Sequence, residues 1–240
     1  MVNIDTVYQK VLAFANKEQR GYITPQEFNL FANQAQDEIF EQYFYDRTGE
    51  AKKPTNSHIF IDIDQTLEEK IRLFERVFGA NAIVGLVSAG GNSSIKLIPN
   101  DVYRINKVEF NNIDCELLST NDFNSFRGGG PLVRPSNSRP IANIRNNQLR
   151  VVGNNNNFVL PTGIFYFKKP EKVSWGYFVV GGKALFDSST TKTTHFELHP
   201  SEEAELVYKI LKYAGISMKQ GSLASASQGM EVSQITQEKQ

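Results

Sequence analysis

Thr24-Pro-Gln-Glu-Phe-Asn-Leu-Phe-Ala-Asn-Gln-Ala-Gln-Asp-Glu-Ile-Phe-Glu-Gln-Tyr-Phe44 carries the firmest structural signal in the chain. Thr24 is a good N-cap residue, Pro25 stands at the first helical position where its missing N–H is harmless, and Glu27 follows the cap by three. The Glu27 carboxylate can then reach back to the Thr24 backbone, a reciprocal capping box in which the cap residue alone contributes about 1 kcal/mol. Behind it Phe28, Phe31, Ala32, Ala35, Ile39 and Tyr43 recur every three or four residues, the period that gathers apolar side chains on one helical face. Upstream, Val7, Val11 and Phe14 repeat the spacing, so the segment from Val7 to Phe44 reads as two amphipathic helices in an αα-hairpin.

Outward from the hairpin, a polar stretch from Arg47 to Ser57 leads to a third helix expected to begin near Asp64 or Thr66. Leu67, Ile71, Phe74 and Phe78 lie on one face of it, and it should end around Gly79. The pattern then changes to short β-rich runs, Ser94 to Ile98, Tyr103 to Phe110, Gln148 to Val152, Ile164 to Lys168 and Tyr177 to Val180, punctuated by Gly, Asn and Pro. Helical spacing returns from Ser201 to Lys219, where Leu206, Val207, Ile210, Leu211 and Ala214 follow an acidic first turn of Glu202, Glu203 and Glu205. Gly221 to Gln240 has little to bury and reads as an extended tail. The fold class expected is α+β: a helical bundle of three N-terminal helices plus a C-terminal one, with an inserted antiparallel β domain. Its boundaries would be 1–80 and 200–220 for the bundle, 81–199 for the insertion and 221–240 for the tail.

Composition narrows the function. Lys plus Arg and Asp plus Glu each total 26 in 240 residues, a balance that argues neither for a nucleic-acid coat nor for a membrane-surface protein. A single cysteine, Cys115, excludes an internal disulfide, and three scattered histidines form no zinc-spaced cluster. No run of 18 apolar residues occurs, and the N-terminus lacks the basic start and apolar core of a signal peptide. Neither export by that route nor a membrane partner is expected.

Several short motifs suggest chemistry. Ile59-Phe-Ile-Asp-Ile-Asp-Gln-Thr-Leu67 resembles the first motif of haloacid-dehalogenase-like phosphatases, an apolar strand followed by Asp-x-Asp-x-Thr. That resemblance would make Asp62 the nucleophile and Asp64 the general acid and base, with Mg²⁺ bridging carboxylate and phosphate. Ser88, at the end of Ile83-Val-Gly-Leu-Val-Ser88, would hold the phosphate. The family also needs later acidic metal ligands and a parallel α/β sheet, yet residues 123–170 hold no Asp or Glu and the segment beyond Ser88 is β-rich without helices. The competing reading has Asp64 capping a helix, or Thr66 and Glu69 forming a capping box. Asn16 to Glu27 has the glycine, apolar residue and terminal glutamate of an EF-hand loop, but Asn16 begins it and Arg20 occupies a ligand position. His195 and His199 flank a strand-like Phe-Glu-Leu and lack a third ligand, Gly128-Gly-Gly130 lacks the P-loop lysine, and no Gly-x-Ser-x-Gly elbow occurs. No catalytic residue, metal or cofactor is expected.

The distribution of charge is more informative. From Phe123 to Pro170 there are seven basic residues, Arg127, Arg134, Arg139, Arg145, Arg150, Lys168 and Lys169, and no acidic one. The stretch from Asn124 to Pro140, rich in Gly, Pro, Ser and Arg, is long for a loop and should project. Its arginines suit phosphate backbones or the acidic surface of a partner subunit.

Three stretches together resemble a known family. They are the hairpin with Ala15-Asn-Lys17, Arg20-Gly-Tyr-Ile-Thr-Pro25, Phe28-Asn29 and Ala35-Gln36; then Leu97-Ile-Pro-Asn-Asp101 ahead of Tyr103-Arg-Ile and Val108; then Phe165-Tyr-Phe-Lys-Lys-Pro170, Phe196-Glu-Leu-His-Pro200 and Tyr213-Ala-Gly215. In that order they resemble the head-to-tail adaptors of short-tailed bacteriophages, the tail tubular protein A type, and in particular the ring proteins of crAss-like phages. The resemblance spans most of residues 1–220; the sequence around Asn154 to Asn157 and beyond Gly221 has no counterpart in it. It implies a non-enzymatic structural protein in the neck of the virion, assembled in the host cytoplasm. Twelve copies would close a ring between portal and tail, extend the channel for DNA ejection and dock further tail proteins. The implied partners are other copies of the chain, the portal protein, other tail or ring proteins and, without sequence reading, the viral DNA. Arg127, Arg134, Arg139, Arg145 and Arg150 would face the channel or a partner ring, while Phe28 and Leu206 hold the subunit core.

Overall fold

The computed structural model describes residues 1–17, 23–50, 58–79, 95–98, 100–130, 132–153, 158–189, 191–217, 227–233 and 236. In chain order its elements begin with helices α1 (Ile4–Lys17), α2 (Pro25–Glu50) and α3 (His58–Arg72). Next come strands β1 (Glu75–Gly79), β2 (Ile95–Leu97), β3 (Val102–Phe110), β4 (Ile113–Asp114) and β5 (Glu116–Leu117), then helix α4 (Thr120–Gly128). The rest comprises β6 (Ile141–Arg145), β7 (Gln148–Val152), β8 (Phe158–Val159), β9 (Gly163–Lys168), β10 (Tyr177–Val180), β11 (Lys183–Phe186) and helix α5 (Glu203–Ser217). The class is α+β, as the sequence pattern predicts.

The chain divides into two compact units, Met1–Leu73 with Pro170–Gln240, and Phe74–Lys169. The boundaries therefore fall at 73/74 and 169/170 instead of near 80/81 and 199/200, and the hairpin of β10 and β11 belongs with the helices.

In the helical unit, α2 packs on α3 and α5, and α1 packs on α5. Val7, Val11, Phe28, Ala32, Ala35, Ile39, Leu206, Ile210 and Ala214 are all buried, whereas Phe14 is exposed. The capping box forms as expected: the Thr24 N–H and Oγ1–H donate to Glu27 Oε2 at 3.0 and 2.8 Å, and the Glu27 N–H donates to Thr24 Oγ1 at 3.3 Å. These bonds hold the Glu27 carboxyl below its ordinary pKa. The histidines terminate local structure. His195 Nδ1 accepts from the Ile4 N–H at 3.3 Å, and His199 Nδ1 accepts from the Ser201 N–H as N-cap of a short 3₁₀ turn, Pro200–Glu202.

The α2 helix also holds an extended segment by a ladder of side-chain amides. The Trp175 N–H donates to Asn29 Oδ1 at 2.7 Å and the Val173 N–H to Asn33 Oδ1 at 3.0 Å. Asn33 Nδ2 donates to Val173 O at 2.9 Å, and Gln36 Nε2 to Glu171 O at 2.8 Å. Four helical residues advance about 6 Å and two extended residues about 6.6 Å, so amides spaced three or four apart can meet alternate peptides of a strand. Trp175 completes the anchor, packing on Tyr8 at 4.3 Å between centroids and donating Nε1–H to Asp5 Oδ1 at 2.9 Å.

Two expectations fail in this unit. Helix α3 starts at His58 and stops at Arg72, and Phe78 lies in β1, paired with Ile164 of β9. Phe74 and Phe78 continue the helical spacing of Leu67 and Ile71 by coincidence; the β9 ladder, more than eighty residues away, overrides it. Residues 227–233, expected in an extended tail, are helical. Their Glu231 reaches Lys209 Nζ at 2.8 Å and Lys212 Nζ at 3.1 Å, so the segment docks by charge where it has little apolar surface to offer.

Among the described residues the second unit contains two sheets. One has the order β1-β9-β3-β4 and is antiparallel throughout. The other has the order β2-β7-β6-β5, with β8 also on β7; its β5–β6 pair is parallel, so the insertion is not purely antiparallel. Ile98, Val108, Cys115, Ala142, Leu149, Val151 and Ile164 form a core drawn from both sheets. Asn111 and Asn112 turn β3 into β4, and Asn146 and Asn147 turn β6 into β7, all four with φ between 50 and 61°. Two consecutive left-handed residues make the type I′ turn that matches strand twist, and asparagine tolerates it.

Candidate functional site

The β6–β7 hairpin sets the geometry of the basic surface. Its register pairs Ile141 with Val152, Asn143 with Arg150 and Arg145 with Gln148; alternate residues share a face, so Arg145 and Arg150 lie on the same side as Ile141 and Val152. That side carries α4, whose Phe123 is buried with Ile141 and Val152. Helix α4 starts where Ser119 Oγ accepts from the Asp122 N–H, and Asn143 Nδ2 ties the preceding residue by donating to Leu118 O at 3.0 Å. Residues 124–128, expected in a projecting loop, are therefore helical; Ser119 and Asp122 supply the cap and Phe123 the burial. The loop proper runs from 129 to 140.

The structure brings all five predicted arginines to this α4-bearing side. The Arg127 guanidinium lies 4.4 Å from the centroid of Phe158, and Arg139 lies 5.5 Å from that of Phe126 while pairing with Glu116 at 3.3 Å. Arg134 Nε–H donates to Gly129 O at 2.9 Å. Arg145 is exposed at the hairpin end; Arg150 is half-buried, and its Nε–H is buried without an acceptor among the described residues. An unsatisfied buried donor costs about 1–3 kcal/mol until an acceptor arrives. Lys168 and Lys169 stand apart, at the end of β9 in the other sheet. The signal that sequence reading missed is aromatic: Phe126 and Phe158 are the platforms that hold two guanidinium planes, each contact contributing about 0.5–1 kcal/mol at an exposed site. Fixed planar guanidinium forks suit phosphate and carboxylate.

Among the described residues the other candidates do not assemble into a site. Asp62 and Asp64 lie within α3, so the strand end that a phosphatase aspartate requires is not formed there; Ile83 to Ser88, and the Arg20 and Gly21 positions of the calcium-loop pattern, fall outside the described residues, as do Asn154 to Asn157. Glu27 is engaged by Thr24. Cys115 is buried, and desolvation, reinforced by Asp114 and Glu109, pushes its thiol up to about 12, so the reactive thiolate is suppressed. Among the described residues no group of three or more His, Cys, Asp or Glu could hold a metal ion.

A second charged cluster lies inside the helical unit. Lys209, 1% exposed, has Nζ at 2.9 Å from Glu38, 3.5 Å from Glu205 and 2.8 Å from Glu231. Burial opposes its charge, but the hydrogen bonds it donates to Glu231 and Glu38 prevail and its pKa is raised. Burial likewise opposes the Glu38 carboxylate, yet the Tyr213 hydroxyl and Lys209 hold it below its ordinary value. Desolvation and the same carboxylate push Tyr213 up to about 12. The cluster joins α2, α5 and residues 227–233 and fastens these elements together. Only the Glu205 and Lys209 spacing of four was visible in the sequence.

Compared with models of known protein families the chain matches none, and a search of curated proteins finds no significant match.

Proposed function

We propose that this chain is a structural virion protein of a tailed bacteriophage, one subunit of a closed ring between portal and tail that extends the DNA channel and docks further tail proteins, and that it is not an enzyme. The ordered motifs of the sequence support this reading, and one observation carries it: five arginines on the α4-bearing side of a single sheet, in a stretch with no acidic residue from Phe123 to Pro170. Such a surface contacts phosphates without reading bases or meets the acidic surface of a partner subunit, and its hold on DNA is weakened by salt because counterions return as DNA leaves. A channel that must retain DNA and then release it needs that kind of contact, repeated around a ring instead of concentrated in one tight site. Arg145, exposed at the hairpin end, and the half-buried Arg150 on the same face are the arginines best suited to phosphate.

Replacing Arg127, Arg134 and Arg139 by Ala in the virus should reduce ring assembly or DNA retention in the particle, and replacing Arg145 and Arg150 should reduce DNA retention with the ring intact. If both sets leave assembly and retention unchanged, the basic surface has no role in a connector.

A further inference from the structure

We propose that the loop of residues 129–140 in one copy docks on the outward face of α2 in the next copy; the inference rests on the ring reading and names the contact that would close it. The two units carry opposite charge. Met1–Leu73 with Pro170–Gln240 holds fifteen Lys and Arg against twenty Asp and Glu, a net of minus five, and Phe74–Lys169 holds eleven against six, a net of plus five.

Exposed apolar side chains occur at several places on each unit, the β10–β11 hairpin with Phe178, Val179, Val180 and Leu185 among them, and the most exposed fall on one loop and one helix face. Apart from Met1, the most exposed large hydrophobic residues described are Leu132 at 99%, Tyr45 at 78% and Leu30 at 67%. Leu132 lies in the loop with the half-exposed Val133 and the exposed Arg134 and Arg139. Leu30 and Tyr45 lie on α2, and Glu27, Leu30, Gln34, Asp37, Glu41 and Tyr45 recur every three or four residues, which places them along one side of the helix. That side is opposite the buried Phe28, Ala32, Ala35 and Ile39. It offers carboxylates between two apolar ends; the loop offers arginines around an apolar tip.

Phosphates would leave Leu132 in water, whereas an acidic helix with Leu30 and Tyr45 accepts both parts of the loop. An exposed tyrosine ring is also a stacking surface for a guanidinium. The contact is heterologous, one patch meeting a different patch, and such contacts form rings when the rotation closes.

Two variants test it. The loop variant carries Arg134→Glu and Arg139→Glu; the stripe variant carries Leu30→Lys and Glu41→Lys. Leu132→Asp serves as a third, since a side chain in full contact with water can change without disturbing the fold, and circular dichroism confirms folding of all three. Association of the full chain is followed by sedimentation velocity at low and high salt. Wild type should associate, more weakly in high salt, and each variant alone should associate at least tenfold less. An equal mixture of the loop and stripe variants should recover association, because each reversed loop then meets a reversed stripe on its neighbour. If either variant alone associates like wild type, or the mixture gains nothing over its components, this contact is wrong while the ring stands. A wild-type chain that stays monomeric at its highest soluble concentration overturns both.

Discussion

Replacing Lys209 by Met removes the cation at the centre of three carboxylates while nearly conserving volume. Glu231 keeps Lys212 at 3.1 Å and Glu38 keeps the Tyr213 hydroxyl, but Glu205, itself buried, loses the ammonium 3.5 Å away. Breaking a buried ion pair from one side costs about 3–5 kcal/mol, because the remaining charge is uncompensated. The expected loss is therefore about 3 kcal/mol, toward the low end since Glu231 and Glu38 retain Lys212 and Tyr213. For a chain of this size each kcal/mol lowers the melting temperature by about 2–4 °C. Urea unfolding at pH 7, monitored by far-UV circular dichroism, measures it directly. The loss should shrink as pH falls toward 4, because protonating the stranded carboxylates removes the repulsion in the variant. A destabilisation below about 0.5 kcal/mol, the scale of an ordinary surface change, or one that is independent of pH, would refute the reasoning.

The same contacts set further expected outcomes. Asn33→Ala strips the buried Val173 peptide of both side-chain partners and should cost about 2–4 kcal/mol, counting one unsatisfied donor and one acceptor; Thr24→Ala, which removes only an exposed cap, should cost about 1 kcal/mol, and urea unfolding ranks the two. Gly176→Ala would bring a Cβ to 2.6 Å from Thr193 Oγ1 and 2.8 Å from Lys192 Cβ, and overpacking of this kind costs about 1–3 kcal/mol, read as a lowered urea midpoint. Alkaline titration should lower stability above pH 10, where Tyr213 loses its proton first in the unfolded chain and only near 12 in the folded one; Lys209, raised in the folded state, loses its contribution over the same rising range, so Tyr213→Phe should flatten the early part of that decline. Acid should act in the opposite direction on Glu38: its lowered pKa stabilises the fold above the ordinary value of 4.5 and that contribution disappears as pH falls below it, which Glu38→Gln should abolish.

What the sequence made legible was local. Thr24, Pro25 and Glu27 specify a helix start from within four residues, and the stripe of Leu206, Ile210 and Ala214 specifies a buried face from within one helix. The asparagine pairs at 111–112 and 146–147 are equally local, although their meaning as tight turns emerges only with the φ angles. Phe74 and Phe78 misled because a spacing of four is compatible with a helix face and with two positions on one side of a strand, and β9 decided between them. Asn29, Asn33 and Gln36 read as the polar side of an amphipathic helix, but their amides are spent on an extended segment some 140 residues away. The arginines were legible as a run without acid, while Phe126 and Phe158 beneath two of them were not, since a cation over a ring leaves no periodic trace.

A cryo-EM reconstruction of the neck of the native particle tests the central claim most directly. The account predicts a closed ring of this chain between portal and tail, with the loop of residues 129–140 against a neighbouring copy and Arg145 and Arg150 toward DNA. A neck without this chain, or a lone subunit whose loop and α2 face both lie free, would contradict it.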